Sequence, residues 1–204
     1  MASSTALTGR PSTPYLEALK TSWQRVRSRS MTIRPIIKAP DPRLKVISKP
    51  IVVVDDGVRE LMDDMLDSMY AANGIGLAAP QIGDPRRVIV LDISRDGEKR
   101  IKHQLANPEI IWKSDDLYTY EEGCLSLQEQ YADVSRPARV RISFLDYNNE
   151  FREIQAEGML AVCIQHEVDH LDGVLFVDHI SALKRNIILR RLIKAKRLEE
   201  AGVA

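Results

Sequence analysis

Several features that whole protein classes depend on are scarce in this chain. It holds only two cysteines, Cys124 and Cys163, among its 204 residues. No apolar run approaches the roughly 20 residues that a membrane-spanning helix needs. Basic and acidic side chains number 29 each, so the net charge indicates no general attraction to nucleic acid. We therefore expect a reduced, intracellular protein without a structural disulfide, and neither a membrane nor DNA among its partners.

The first 30 residues differ in composition from the rest of the chain. They are rich in Ser, Thr and Arg, contain a single acid, Glu17, and lack the apolar core of a secretory signal. We expect an extension that is disordered or that precedes a true start at Met31, although residues 15–26 are compatible with a short helix. An organellar transit peptide is the alternative, which would place the protein in a mitochondrion or plastid instead of the bacterial cytoplasm. Residues 31–204 are predicted to form one domain.

Hydrophobic periodicity predicts the secondary structure of this domain. Helices are predicted over residues 57–72, 158–171 and 183–200. Strands are predicted over residues 87–93, 106–112, 139–147 and 151–156, the last two forming a hairpin around Asn148-Asn149. Because strands and helices do not alternate regularly, we predict an α+β fold. Its antiparallel β-sheets would surround a central metal-binding helix, with one helix towards each end of the domain.

The most informative motif is His166-Glu167-Val168-Asp169-His170, on the second predicted helix. Histidines four residues apart lie on the same helical face, where both rings are able to bind one metal ion. Glu167 lies about 100° around the helix from His166, close enough to act on a metal-bound water without binding the metal. Two satisfied core histidines are the alternative, but the intervening glutamate and the apolar flanks favour a metal-dependent hydrolase.

A catalytic metal site of this kind needs a third protein ligand, which the motif does not supply. One familiar extension places a third histidine six residues after His170, but Phe176 stands there and His179 comes three residues too late. Thermolysin-type peptidases use a downstream glutamate instead. Here the acids available on the last helix are Glu199 and Glu200, in a charged terminus that is predicted to face solvent.

The cysteines are the remaining candidates for the third ligand. Cys163 shares the helical face of the histidines but lies roughly 7–8 Å along the axis from their midpoint, so we expect it to pack or to line a wall. Cys124 follows Gly123, whose lack of a side chain lets backbone approach a metal closely. The residues alone leave Cys124 open as a metal ligand or a core residue. His103, in a charged segment, is expected at the surface.

A glycine-rich stretch begins at Gly74 and ends at Pro80. Its spacing matches a dinucleotide-binding fingerprint, but it follows a helix instead of a strand, which excludes that function. A tight loop with a purely backbone role is one interpretation. The other is an extended segment beside the site, in which Gly76 lets substrate approach closely and Gln81 offers an amide donor.

Three segments together resemble the three motifs of the peptide deformylase family. They are Gly74-Ile75-Gly76-Leu77-Ala78-Ala79-Pro80-Gln81, Glu122-Gly123-Cys124-Leu125-Ser126 and Gln165-His166-Glu167-Val168-Asp169-His170. Their order and spacing agree with the family, and the resemblance extends from about Met31 through the final helix. It implies an enzyme that removes the N-formyl group from the initiator methionine of nascent bacterial or organellar proteins. Gln128 departs from the proline of many bacterial members, which leaves the peptide preference beyond methionine open.

The resemblance also implies roles for the matching residues. Cys124, His166 and His170 would bind one divalent metal, Fe(II) natively, with zinc, nickel or cobalt tolerated. Glu167 would be the general base and acid, and the amide of Gln81 and the backbone N–H of Leu125 would stabilise the oxyanion. The residues expected to contact or orient the substrate are Ile75, Gly76, Glu122, Val162 and Cys163.

Two further questions stay open on the sequence alone. The last predicted helix carries seven basic residues, Lys184, Arg185, Arg190, Arg191, Lys194, Lys196 and Arg197. It is either a solvated amphipathic helix packed on the domain or, as in some deformylases, a helix that docks on ribosomal RNA. A zincin-type metallopeptidase and a catalytically inactive metal-binding module are the alternative functions. The former lacks its downstream ligand, and the latter would not need Glu167.

Overall fold

The structure, a computed structural model, describes residues 31–95 and 97–202, apart from the side chain of Glu200. The predicted extension over residues 1–30, with its possible short helix, lies outside the described residues. From Thr32 onward the described residues form one compact unit. No helix within the described part of the chain is both long and apolar enough to cross a membrane.

Three α-helices form where the periodicity predicts them, within two residues at each end. They are α1 (Asp56–Ala71), α2 (Gly158–Leu171) and α3 (Ala182–Glu200). The first begins at a side-chain cap, because the Asp55 carboxylate accepts a hydrogen bond of 2.9 Å from the backbone N–H of Val58. Ser181 caps α3 in the same way, accepting from the backbone N–H of Lys184.

Within the described residues, seven strands form two antiparallel sheets. The larger contains β1 (Gly76–Ala78), β2 (Val88–Leu91), β3 (His103–Lys113), β6 (Arg139–Leu145) and β7 (Phe151–Glu157), in that spatial order. The smaller is a ribbon of β4 (Leu117–Gly123) and β5 (Tyr131–Pro137). The predicted α+β fold with antiparallel sheets around a central helix is confirmed.

The larger sheet lies between α1 and α2, and β2 shows why. Successive residues of a strand point to opposite faces of its sheet. Val88 and Val90 pack with the apolar face of α1, whereas Ile89 and Leu91 pack with α2. All four are fully buried, so β2 reads as a continuous apolar run without polar alternation.

Three strands were not predicted, and each lacks the usual periodicity. β1 is only three residues long and lies within the glycine-rich stretch. Along β4 every residue except Glu122 is exposed, so this strand carries no apolar alternation. His103, which was expected at the surface, is half-buried at the start of β3, where burial lowers the pKa of its imidazole.

Candidate active site and metal centre

The two histidines of α2 lie side by side on its buried face. His166 and His170 are 8% and 1% exposed, and their ring centroids are 5.0 Å apart. Their four-residue spacing places both rings over the same turn, as the motif predicts. Phe176, which occupies the position of a possible third histidine, packs its ring against His166 with centroids 6.3 Å apart.

The loop that follows β4 brings Cys124 to these rings. Its Sγ lies 3.2 Å from Nε2 of His170, and one ligand atom from each of the three residues falls within 4.8 Å of the others. Ligands of a tetrahedral zinc-like ion bind at about 2.0–2.3 Å, which separates them by roughly 3–4 Å. Nδ1 of His170 is buried without a hydrogen-bond partner among the described residues. This donor set fits a divalent metal.

A network of hydrogen-bonded polar side chains holds the candidate ligand His166 in place. Nδ1 of His166 lies 2.8 Å from a Glu122 carboxylate oxygen, which leaves the other ring nitrogen for a metal. Arg136 donates to both Glu122 oxygens at 2.5 and 3.0 Å, and to Asp169 at 2.8 Å. Asp169 in turn lies 2.7 Å from Nε2 of His179, just before α3. This network therefore extends from the ring of a candidate metal ligand to the protein surface.

Glu122 has different partners from those expected. Sequence reasoning assigned it to substrate orientation, whereas both carboxylate oxygens face His166 and Arg136. Glu122 is the single buried residue of β4, and its carboxylate therefore lies among interior partners. Burial opposes the charge, but the hydrogen bonds from His166 and Arg136 lower the pKa of Glu122. Glu122 also lines the cavity in front of Glu167, so the role in orienting substrate stays a prediction.

Glu167 is the buried carboxylate beside the candidate metal ligands. It is 4% exposed, and its Oε2 has no hydrogen-bond partner among the described residues. Burial, partly offset by the neighbouring His166, raises the pKa of Glu167 to about 7. A carboxyl group that titrates near neutrality is suited both to accept and to donate a proton.

The glycine-rich segment passes directly over Glu167. A Cβ atom built on Gly76 would lie 2.4 Å from Oε1 of Glu167 and 2.8 Å from Sγ of Cys163. Such distances leave no room for a side chain, so only glycine allows β1 to run this close to α2. Of the two interpretations of this stretch, the extended segment beside the site is the one observed.

Gln81 follows β1, and a hydrogen bond from the backbone of that strand orients its side chain. Its Oε1 accepts a hydrogen bond of 2.8 Å from the backbone N–H of Ala78. The amide nitrogen is thereby directed at the oxygen of Ser126, 3.1 Å away, and at Sγ of Cys124, 3.7 Å away. The side chain is 2% exposed. A buried, oriented N–H donor thus lies beside the candidate metal ligands.

A cavity of about 690 Å³ opens in front of Glu167. Every residue predicted to contact the substrate lines it, namely Ile75, Gly76, Glu122, Val162 and Cys163. Gln81 and Leu125, the residues that carry the predicted oxyanion donors, line it as well. Sequence reasoning missed Tyr120, Tyr131 and Met159, which also line the cavity. The first two belong to the ribbon that carried no periodic signal.

Cys163 is a wall residue and lies outside the candidate ligand set. Its side chain is buried, and Sγ lies 3.6 Å from the backbone oxygen of Ile75. Burial raises the pKa of its thiol well above the ordinary value, which keeps the sulfur protonated. Neither Cys163 nor Cys124 forms a disulfide, as expected.

One thiol, two imidazoles, an unpartnered carboxylate and an adjoining cavity define a metal-dependent hydrolase. The third candidate ligand comes from an upstream loop and not from the helix downstream, where zincin peptidases take theirs. Comparison with known proteins specifies the class further. The family model described as polypeptide deformylase matches residues 33–186.

Curated relatives are similar in sequence to this chain over most of its length. The peptide deformylase of Phenylobacterium zucineum is 57% identical over 164 residues, 80% of this chain and 97% of the relative. That of Methylocella silvestris is 55% identical over 172 residues, covering 83% and 88%. This chain belongs to the peptide deformylase family.

Solved structures show the same fold. The peptide deformylase of Ehrlichia chaffeensis in complex with actinonin has a TM-score of 0.78 and 36% identity, over 82% of this chain and 99% of that one. The enzyme of Legionella pneumophila has a TM-score of 0.76 and 44% identity, covering 83% and 98%. Peptide deformylases are metal-dependent hydrolases that remove the N-formyl group from nascent peptides, so the predicted family and enzymatic activity are confirmed.

Proposed function

We propose that Cys124, His166 and His170 hold a single divalent metal, Fe(II), for removal of the formyl group from formyl-methionine. The observation that carries this proposal is the approach of the three ligand atoms to within 4.8 Å, beside the unpartnered Oε2 of Glu167. A thiolate with two imidazoles also suits zinc, nickel and cobalt. When bound, the metal would polarise the formyl carbonyl and lower the pKa of water.

Glu167 is the proton carrier in this proposal. Its carboxylate takes the proton from the attacking water and returns it to the amine as the C–N bond breaks, which releases formate. A carboxyl pKa near 7 allows both transfers at neutral pH. General acid–base catalysis of this kind contributes about 10²–10⁴-fold to a rate.

Two donors stabilise the negative charge that develops on the formyl oxygen. They are the side-chain amide of Gln81 and the backbone N–H of Leu125. The Gln81 amide is held in place before substrate binds, because Ala78 fixes its oxygen. A preorganised donor of this type contributes about 2.7–4 kcal/mol. The methionine side chain lies along Ile75, Val162 and Cys163, where Gly76 permits close approach.

The protein acts in the bacterial cytoplasm, or in an organelle if residues 1–30 are a transit peptide, and α3 docks on the ribosome. Among the α3 residues whose burial the structure describes, only Ile188 and Leu192 are buried and Leu189 is half-buried, so most of the helix surface is available to RNA. Arg190, Lys194 and Arg197 lie on its exposed part. Replacing these three with glutamine is expected to weaken co-sedimentation with ribosomes, and unchanged co-sedimentation would exclude docking.

Metal content separates the ligand assignment from its alternatives. Cys124→Ala should lose the stoichiometric metal, whereas Cys163→Ala, which removes the buried thiol outside the proposed ligand set, should keep it. Formate release should be confined to a formyl-methionyl peptide, with no turnover of its acetylated or unblocked counterparts. Full metal content in Cys124→Ala would exclude Cys124 as a ligand and favour the alternative of a zincin-type metallopeptidase.

A further inference from the structure

Ser126 is the last residue of the second sequence motif, and the proposed function gives it no role. Its side chain is fully buried, and its Oγ lies 3.1 Å from the amide nitrogen of Gln81. A buried hydroxyl is costly to the fold unless it takes part in a hydrogen bond, so this contact is part of the folded interior. It joins the unassigned serine directly to one of the two proposed oxyanion donors.

The surroundings of Gln81 allow its amide a single orientation. The backbone N–H of Ala78 donates to Oε1 at 2.8 Å, and exchanging the amide oxygen with the nitrogen would bring two donors together. The amide nitrogen carries two hydrogens. Ser126 accepts one of them, and the other is left for the side of the candidate metal centre, where Sγ of Cys124 lies 3.7 Å from the same nitrogen. The second hydrogen is therefore the one available to the formyl oxygen.

The backbone that carries Ser126 is held independently of this side-chain contact. The segment of residues 37–39 forms hydrogen bonds with both donor-bearing loops. The backbone N–H of Ile37 donates to the backbone oxygen of Gln81 at 2.7 Å, and that of Ala39 donates to the backbone oxygen of Ser126 at 2.8 Å. Because one short segment binds both residues, their backbones keep a fixed separation, and the hydroxyl oxygen of Ser126 is presented to Gln81 from a rigid support.

Loss of the Ser126 hydroxyl would leave the amide of Gln81 less firmly held. Within the described parts of the chain, the nitrogen would keep only the sulfur of Cys124 as a partner, and sulfur is a weak acceptor. A donor stabilises a developing oxyanion best when it is already oriented before the reaction. A serine that merely satisfies a buried amide would contribute to stability alone, whereas a serine that orients the donor also affects kcat.

We infer that Ser126 is a positioning residue, whose hydroxyl holds the amide of Gln81 in the orientation that the transition state requires. The inference rests on the proposed function, since it takes Gln81 to bind the developing oxyanion. Loss of an oxyanion donor lowers kcat by about 10²–10³-fold. Loss of its support should lower kcat less, by about tenfold, because the donor itself remains. KM should stay within about twofold, since the interaction strengthens only in the transition state.

The test is a double-mutant cycle on the full-length, metal-loaded protein, with formate release from formyl-Met-Ala-Ser as the assay. Parent, Ser126→Ala, Gln81→Ala and the double variant are compared in kcat, KM and metal content. Metal content should be the same in all four. Ser126→Ala should lower the kcat of the parent about tenfold, but it should lower the kcat of Gln81→Ala no further, because no amide is then left to orient.

Ser68→Ala is the matched control. Ser68 lies in α1 and is 2% exposed, and its hydroxyl donates to the backbone oxygen of Asp64 at 2.7 Å and accepts from the backbone N–H of Arg34 at 2.8 Å. The substitution removes a buried serine hydroxyl that is not part of the cavity lining. It should lower the denaturation midpoint and leave kcat at the value of the parent.

The outcomes separate the inference from the proposed function. Unchanged kcat in Ser126→Ala, or an equal loss of kcat from this substitution with and without Gln81, would overturn the inference while leaving the deformylase proposal intact. Unchanged kcat in Gln81→Ala would refute the inference together with the oxyanion role of Gln81. Absence of formate from the metal-loaded parent would instead refute the proposed function on which the inference rests.

Discussion

Replacing Arg136 with leucine tests the polar chain behind the metal ligands. The guanidinium side chain is 5% exposed and makes three charged hydrogen bonds, two to Glu122 and one to Asp169. Its removal leaves the Glu122 carboxylate, 3% exposed, without its cation. Breaking a buried ion pair by removing one partner costs about 3–5 kcal/mol, because the stranded charge remains desolvated.

The same substitution should weaken metal binding. Glu122 orients the His166 ring, and loss of such a supporting group typically reduces metal affinity about 10–100-fold. Denaturant unfolding of chelator-treated protein measures the stability loss without the contribution of bound metal, and a competition titration with a chromophoric chelator measures the affinity. Adding Glu122→Gln to Arg136→Leu removes one stranded charge and should restore part of the stability.

Arg152→Leu is the matched control for this prediction. Arg152 also pairs with two carboxylates, those of Asp146 and Glu150, but its side chain is 53% exposed. Surface ion pairs contribute about 0–1 kcal/mol, so this variant should unfold almost as the parent does. A loss below about 1 kcal/mol for Arg136→Leu, matching the control, would refute the reasoning.

Two further predictions follow from local geometry. Gly76→Ala should abolish most activity because its Cβ would displace Glu167. The control Gly57→Ala, in α1, adds a Cβ that makes only an ordinary contact and should raise the free energy of unfolding by about 0.5–1 kcal/mol without loss of activity. Comparable activity in both variants would contradict the steric account. Although burial disfavours its charge, hydrogen bonds from Lys45 and the backbone of Leu175 lower the pKa of Asp178 below 3.8. The resulting stabilisation is present above that ordinary value and is lost as pH falls through the depressed one. Asp178→Asn should therefore lose about 1 kcal/mol near pH 7 and little near pH 2, as measured by denaturant unfolding at each pH, and a pH-independent difference would contradict this account.

Much of the fold followed from periodicity, because α1, α2 and the core strands each bury a continuous apolar face. The β4–β5 ribbon escaped detection because it buries almost no apolar side chains: Glu122 is the single buried residue of β4, and Arg136 is one of two on β5. A buried ion pair leaves no hydrophobic signal in a sequence. Its members are recognisable only when strand register places them together.

The candidate site likewise contains some residues that the sequence predicts and others that only tertiary structure brings together. His166, Glu167 and His170 share one turn of helix, so their spacing alone predicts their proximity. Cys124 comes from a separate loop, and geometry along the chain left its role open until the family resemblance was considered. Asp169 lies within the histidine motif, but its partners Arg136 and His179 reach it only through tertiary packing, which explains why the motif did not indicate them.

The central claim is that Glu167 carries the proton while Cys124, His166 and His170 hold the metal. The most direct test measures metal content and formate release on the same anaerobically prepared samples of the parent protein and Glu167→Ala. We expect both to contain one metal ion per chain, with formate production in the variant reduced by about 10²-fold or more. Undiminished formate release by the metal-loaded variant would contradict the assigned role, and no release by the metal-loaded parent would contradict the account as a whole.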